Sequence, residues 1–197
     1  MNSFKLNFQG LEYIGMISLP VIALFAAILL DFVLYDSKKE VQAKKKSIVA
    51  TGTMILFYVG YMQMVRFHLL ELKPLLPKWA SMIGIVMIYL GSAMNIWGRL
   101  TLKANWSDHI KIYKDHTLIT NGPFRFVRHP LYASLFVMLF GGSLVFSNVA
   151  CALLTAFVFI PFMTYRARQE ETMLMKAFPE YLAYKEKTGM FFLKFWR

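Results

Sequence analysis

Five apolar runs, at residues 13–35, 48–70, 79–98, 131–146 and 149–165, constrain this chain more than any other feature. A helix needs roughly 20 apolar residues to cross a bilayer core, so the first three runs are long enough and the last two are short. The fourth and fifth are separated only by Ser147 and Asn148, which predicts a tight helical hairpin, with Pro161 kinking its second arm. The expected architecture is an all-α, polytopic membrane bundle of about five transmembrane helices followed by a C-terminal amphipathic helix. Composition agrees: 57% of the residues are apolar, only 17% are charged, and mean hydropathy is +0.48. An ordinary soluble domain is excluded.

The N-terminal run lacks the charged start, short apolar core and small-residue cleavage site of a secretory signal, and reads as a retained membrane helix. Cys151, the single cysteine, lies inside an apolar run, rules out an intrachain disulfide and reads as a packing residue. A net charge of +11 raises the question of nucleic acid. The aromatic residues lie within the apolar runs, however, and are not interleaved with the basic ones as stacking platforms would be. Basic charge facing the anionic surface of membrane lipids is the better reading, with no nucleic-acid partner.

The distribution of that charge gives a topology. All of the 22 lysines and arginines except Lys5, Arg66, Lys73 and Lys78 fall in the connector 36–47, the segment 99–130 or the tail 166–197. Five spans put these three regions on one side, and cytoplasmic loops collect basic residues. The expectation is therefore an N-terminus outside and a C-terminus in the cytosol. No repeat or Gly/Ser linker divides the chain, so 1–197 reads as a single membrane domain: spans at 13–98, a cytosolic connector at 99–130, a hairpin at 131–165 and a cytosolic tail at 166–197. Polar chemistry belongs in the connector and tail.

Within the connector, "TNGPFRFVRHPLYAS" places a turn at Gly122-Pro123 and puts Arg128 and His129 at the mouth of the fourth span, where Pro130 suits a first helical turn. Helix-start N–H groups with Arg128 make an anion-binding corner, the plain alternative being an interfacial anchor. Upstream, Asp108/His109 and Asp115/His116 are adjacent pairs, which match no dependable zinc spacing, so no metal site is expected. The alternation in "HIKIY" predicts a short extended segment.

Beyond the fifth span, Arg166, Glu170 and Glu171 lie at i, i+4 and i+5, a spacing that also fits a plain surface ion pair. Met173, Leu174, Ala177, Phe178, Tyr181 and Leu182 form an apolar stripe, with Pro179 restarting the helix after a break. That stripe lies against either the membrane surface or the connector.

Taken together, "NWSDHI", "DHTLITNGPFRFVRHPLYAS" and "RARQEETMLMKAFPEYLAYKEKTG" resemble the isoprenylcysteine carboxyl methyltransferase family of integral membrane enzymes, over roughly residues 95–189. The first two spans carry no such motif. The resemblance implies methyl transfer from S-adenosyl-L-methionine bound on the cytosolic face to a lipophilic acceptor, of which a prenylated cysteine carboxylate is the family's own. It implies that His116, Thr117, Leu118 and Ile119 form a cofactor segment, that Phe124 stands where the family often has tyrosine, and that Arg128, His129, Pro130 and Leu131, followed by Tyr132, form the Arg-His-Pro motif. It further implies an acceptor-side, catalytic role for Arg166 and cofactor contact for Glu171, with Glu170 the adjacent alternative. Ser134 replaces a frequent glycine, and Thr188-Gly189-Met190 a common Thr-Gly-Arg ending.

The chemistry is compatible. A methionyl carboxylate needs an anion site such as Arg128, an ammonium or ribose hydroxyl needs a carboxylate, and adenine needs an apolar slot such as Leu118, Ile119 and Phe124 provide. A carboxylate acceptor is already an ionised nucleophile, so positioning by Arg166 matters more than a general base. An amine or thiol acceptor would call on His129 or His116. Gly91, Ser92, Gly141 and Gly142 permit close helix packing beside a lateral path for a lipid. Competing readings are an NADPH-dependent membrane reductase related to sterol reductases and a non-catalytic membrane protein.

Overall fold

The computed structural model describes residues 8–31, 33–34, 41–45, 48–72, 76–105, 110–113 and 117–194. In chain order these form α1 (Phe8–Asp31), β1 (Val41–Lys45), α2 (Ile48–Arg66), α3 (Lys78–Leu102), β2 (Ile110–Tyr113), α4 (Pro130–Val145), α5 (Val149–Leu154), α6 (Ile160–Ala177) and α7 (Tyr181–Lys187). The two strands pair antiparallel, joining the first basic connector to the second and giving "IKIY" the extended form that its alternation predicts.

The bundle is centred on α3 and α4, whose backbones touch. A Cβ added to Gly84 would lie 2.5 Å from the Gly141 carbonyl oxygen, and one added to Gly141 would lie 2.7 Å from that of Gly84. Any side chain there would force the helices apart, which is the use of small residues between membrane helices. On the far side of α4, Phe57, Tyr61, Phe136, Leu139, Cys151, Phe159 and Met163 form the main core, and Cys151 is fully buried. The Tyr61 hydroxyl donates to the Leu139 carbonyl at 2.8 Å, satisfying the one polar atom that its ring brings inside.

The hairpin forms at Ser147 and Asn148. Ser147 adopts a φ of 49°, and the Asn148 side chain caps α5 by accepting from the Cys151 N–H at 2.9 Å. The Asn148 amide also donates to the Met64 carbonyl at 3.1 Å, tying this end to α2. The second arm does not stop near residue 165. α5, a π-helical turn at Thr155–Phe159 and α6 run on as one rod, Val149–Ala177, of 29 residues. The widened turn just before Pro161 accommodates a residue with no N–H and a ring that would strike the preceding turn.

Two expectations are corrected. Among the described residues, three helices are long and apolar enough to cross a membrane by length and composition: Glu12–Asp31, Lys78–Leu102 and Val149–Ala177. Five such helices are not found among the described residues, and the turn at Ser147 ends α4 after 16 residues. The tail is not one amphipathic helix either: its first part continues α6, Phe178 breaks off in an extended conformation, and α7 has only 7 residues. The chain is nonetheless a multi-pass, α-helical membrane bundle.

Candidate functional site

A cavity of about 430 Å³ opens between the C-terminal ends of α1 and α3, the start of α4 and the connector. Its wall has an apolar part, from Leu24 and Ile28 of α1, Met54 and Tyr58 of α2, Leu135 and Met163. Its polar part comes from α3, the connector, the start of α4, α6 and α7.

The start of α4 is built as its sequence predicts, with His129 at the N-cap and Pro130 in the first turn. A segment that follows α7 straps this corner down. The N–H groups of Arg128 and His129 donate to the carbonyls of Gly189 and Met190 at 2.9 and 3.0 Å. Gly189 has no room for a side chain, since a Cβ there would meet the Phe192 backbone. Phe191 packs on Phe136 and on the His129 ring, whose other neighbour, Tyr132, is stacked 5.5 Å away at an interplanar angle of 6°.

Behind this corner lies a buried ionic knot. Arg128 Nε donates to Glu171 Oε1 at 2.7 Å, Lys185 Nζ lies 2.9 Å from Glu171 Oε2, and His129 Nε2 is 3.3 Å from Oε1. Arg128 Nη1 donates as well to the carbonyls of Lys185 and Thr188. Glu171 is 1% exposed. The anion corner expected around Arg128 is thus occupied in part by the protein's own carboxylate and carbonyls.

Glu170 faces the other way and lines the cavity. Its Oε2 accepts from the Tyr132 hydroxyl at 3.2 Å and lies 3.7 Å from His129 Nδ1. Arg166, one turn earlier, also lines the cavity and reaches across to α2, donating to the Met54 thioether at 3.2 Å. Among the described residues no ion pair joins Arg166 to Glu170, so their spacing does not make the plain surface pair. A thioether is a weak acceptor, and a guanidinium so partnered keeps most of its capacity for a stronger one.

Thr117, Leu118, Ile119, Phe124, Pro130 and Leu131 all line the cavity, together with Arg128 and His129. Asn105 and Thr117 exchange hydrogen bonds, Asn105 Nδ2 donating to Thr117 Oγ1 at 3.0 Å and Thr117 N–H donating to Asn105 Oδ1 at 3.4 Å. His116, with Asp108, His109 and Asp115, lies outside the described residues.

α7 supplies two residues that the sequence reading did not assign to a site. Tyr181 and Tyr184 both line the cavity, and Tyr184 donates to the Phe124 carbonyl at 2.6 Å. Burial pushes both phenols up, Tyr181 far above the ordinary value, with the Glu171 charge adding to the rise. Tyr184 is pushed up to about 12, burial outweighing the opposing pull of Arg128. The signal for Tyr181 was its place on the apolar stripe, and Tyr184 lies three residues further along the same helix. That stripe covers the cavity through Met173, Leu174 and Tyr181, while Leu182 stays exposed.

A buried polar chain on α3 also escaped assignment. Arg99 Nη1 donates to Asp31 at 2.8 Å and its Nε to Asn95 Oδ1 at 2.9 Å. Asn95 Nδ2 donates in turn to Ser134 Oγ at 2.7 Å and to the Leu131 carbonyl at 3.2 Å. This is what the serine at 134 does: its hydroxyl completes the satisfaction of a buried amide.

Comparison with known proteins places these elements. Residues 82–176, from α3 to the end of α6, match the model of the isoprenylcysteine carboxyl methyltransferase family. The protein-S-isoprenylcysteine O-methyltransferases of Xenopus laevis and Homo sapiens are 32% and 31% identical over 121 and 129 residues. Those matches take in 59% and 63% of this chain, and 42% and 45% of the relatives. The cobalt-zinc-cadmium resistance protein CzcN of Cupriavidus metallidurans is 30% identical over 114 residues, 58% of this chain and 51% of its own. The chain therefore spans about half the length of the curated relatives it matches. In three dimensions, the eukaryotic intramembrane Ras methyltransferase ICMT superposes with a TM-score of 0.66 at 21% identity, over 95% of this chain and 68% of that one, a likeness of fold.

Proposed function

From the match over residues 82–176, the chain belongs to the isoprenylcysteine carboxyl methyltransferase family, and on that premise we propose that it methylates the carboxylate of a lipophilic, isoprenylcysteine-like acceptor. S-adenosyl-L-methionine is the methyl donor in this reading. The observation that carries it is the paired orientation of Arg166 and Glu170, one helical turn apart, both turned into a cavity that is apolar at one part of its wall and polar at the other.

The residues present fit the donor. Glu170 suits its ammonium or a ribose hydroxyl, with Tyr132 and His129 fixing the carboxylate. Leu118, Ile119 and Phe124 offer an apolar slot for adenine, and Arg128, held by Glu171, keeps a cation beside the methionyl carboxylate. The bound donor supplies an electrophilic methyl group on a sulfonium. Toward the acceptor, Arg166 orients an already ionised carboxylate, so no residue has to remove a proton. The apolar wall from α1 and α2 takes the hydrocarbon part and excludes water, which strengthens every charge interaction inside.

The basic connectors and tail put the polar part of the cavity on the cytosolic side, with the N-terminus outside. Donor then enters from the cytosol and acceptor from the membrane. Calorimetry of folded protein in detergent with S-adenosylmethionine or its demethylated product tests the reading, and the expected result is saturable binding. Its absence, or saturable NADPH binding in its place, would sink it. Radiolabelled donor added to membranes identifies the acceptor. Arg166→Ala should keep donor binding and lower transfer by about a hundredfold, the scale of one lost charge-assisted contact in a closed site.

A further inference from the structure

α7 presents two tyrosines to the cavity, one turn apart, and their hydroxyls differ. Tyr184 is tied down, donating to the Phe124 carbonyl at 2.6 Å. Its ring meets that of Tyr181 edge to face, with centroids 5.7 Å apart. Tyr181 is the more deeply buried of the pair, at 1% exposure, yet its hydroxyl makes no hydrogen bond with any described residue. A buried phenol ordinarily finds a partner for its oxygen. Left without one it costs stability, and phenylalanine would fill the same space without that cost. Packing therefore gives no reason for the oxygen, and the cavity that Tyr181 lines is where a partner can come from.

The surroundings say what that partner is. The Tyr181 phenol feels the charges of Glu171, Arg128 and Glu170, so it lies where the ionic knot meets the cavity wall. Arg128 has little left to give there, since its Nε serves Glu171 and its Nη1 serves the carbonyls of Lys185 and Thr188. A ligand carboxylate brought to this corner has two acceptor oxygens and needs a hydrogen-bond donor beyond the second Nη. Where Glu170 takes the ammonium of the methionyl group, the carboxylate is attached to the same carbon. A hydroxyl in the fields of both Glu170 and Arg128 is placed to meet it.

We infer that Tyr181 is a cofactor-binding residue whose hydroxyl donates to the methionyl carboxylate of S-adenosyl-L-methionine. The inference rests on the methyltransferase reading, and it carries the cofactor site into α7, beyond the family match that ends at residue 176.

The test compares S-adenosylhomocysteine, the demethylated cofactor, with its decarboxylated form on the full chain in detergent. Their Kd values are measured by competition against radiolabelled S-adenosylhomocysteine. Tyr181→Phe should weaken S-adenosylhomocysteine about tenfold, the scale of a hydrogen bond to a charged group, and leave the decarboxylated form within about twofold of the parent value. The unfolding midpoint of the variant without ligand should equal or exceed that of the parent, because the oxygen removed had no partner. A merely structural hydroxyl would lower that midpoint, or weaken both probes alike, and either result overturns the inference. So does an unchanged Kd for S-adenosylhomocysteine. These outcomes leave the methyltransferase reading in place, whereas failure of the unaltered protein to bind S-adenosylhomocysteine overturns both.

Discussion

Glu170 and Glu171 are neighbours in the chain and opposites in setting, and they stand for two regions of the molecule. At the start of α4, Glu171 is matched by Arg128, His129 and Lys185, and this corner is locked by the strap at 188–191. On the wall itself, Glu170 and Arg166 are met by a phenol hydroxyl and a thioether. The same residue types thus do two jobs. Where charges are fully matched by the protein they fix backbone geometry, and where their partners are weak they are left for a ligand.

The sharpest way to break this comparison is to exchange the two effects. Glu171→Ala strands the buried Arg128 guanidinium, and removal of one partner from a buried pair costs about 3–5 kcal/mol. Denaturant or thermal unfolding in detergent should show a loss of that size. A loss below about 1 kcal/mol would mean that the knot is not structural. Glu170→Gln, one residue away, should leave unfolding within about 1 kcal/mol of the parent, because its side chain is 35% exposed and its hydrogen-bond partner is a phenol. Its donor Kd should instead rise about tenfold, the scale of a charged hydrogen bond.

Lys185 sharpens the boundary between the regions. It belongs to the knot by contact, yet its side chain is 39% exposed. Lys185→Met should therefore cost less than about 1 kcal/mol in unfolding, since a solvated ammonium loses little on leaving a pair. A cost near that of Glu171→Ala would place Lys185 inside the knot after all.

The elements were legible in the sequence wherever a local rule fixes them. Apolar runs gave the helices, Ser147-Asn148 gave the hairpin, and Pro130 gave the start of α4, because each depends on residues within a few positions. The length of the last helix was not legible: the chain turns from apolar to charged at Arg166, but the backbone has no reason to stop there and continues to Ala177. Nor could the facing of Glu170 against Glu171 be read. One position on a helix is a rotation of about 100°, smaller than the uncertainty in where a stripe is centred. The Asp31, Arg99, Asn95 and Ser134 chain was hidden for another reason, since it joins three helices across 68 and 39 positions of sequence.

The smallest expected effect concerns the lid that α7 forms over both regions. Tyr184 joins them, donating to the Phe124 carbonyl on the wall while lying near Arg128 in the knot. Its phenol titrates at about 12 in the folded chain, raised chiefly by burial, against the ordinary 10.0 when unfolded. Below pH 10 the group is neutral in both states and its contribution is fully present. Between about 10 and 12 the unfolded chain loses the proton first, so the unfolded state binds fewer protons and stability falls with rising pH. Tyr184→Phe removes the titrating group and should flatten that part of the decline, measured as unfolding midpoint against pH from 9 to 12. An equal slope in parent and variant would show that the hydroxyl is solvated, and that the lid touches the wall through its apolar face alone.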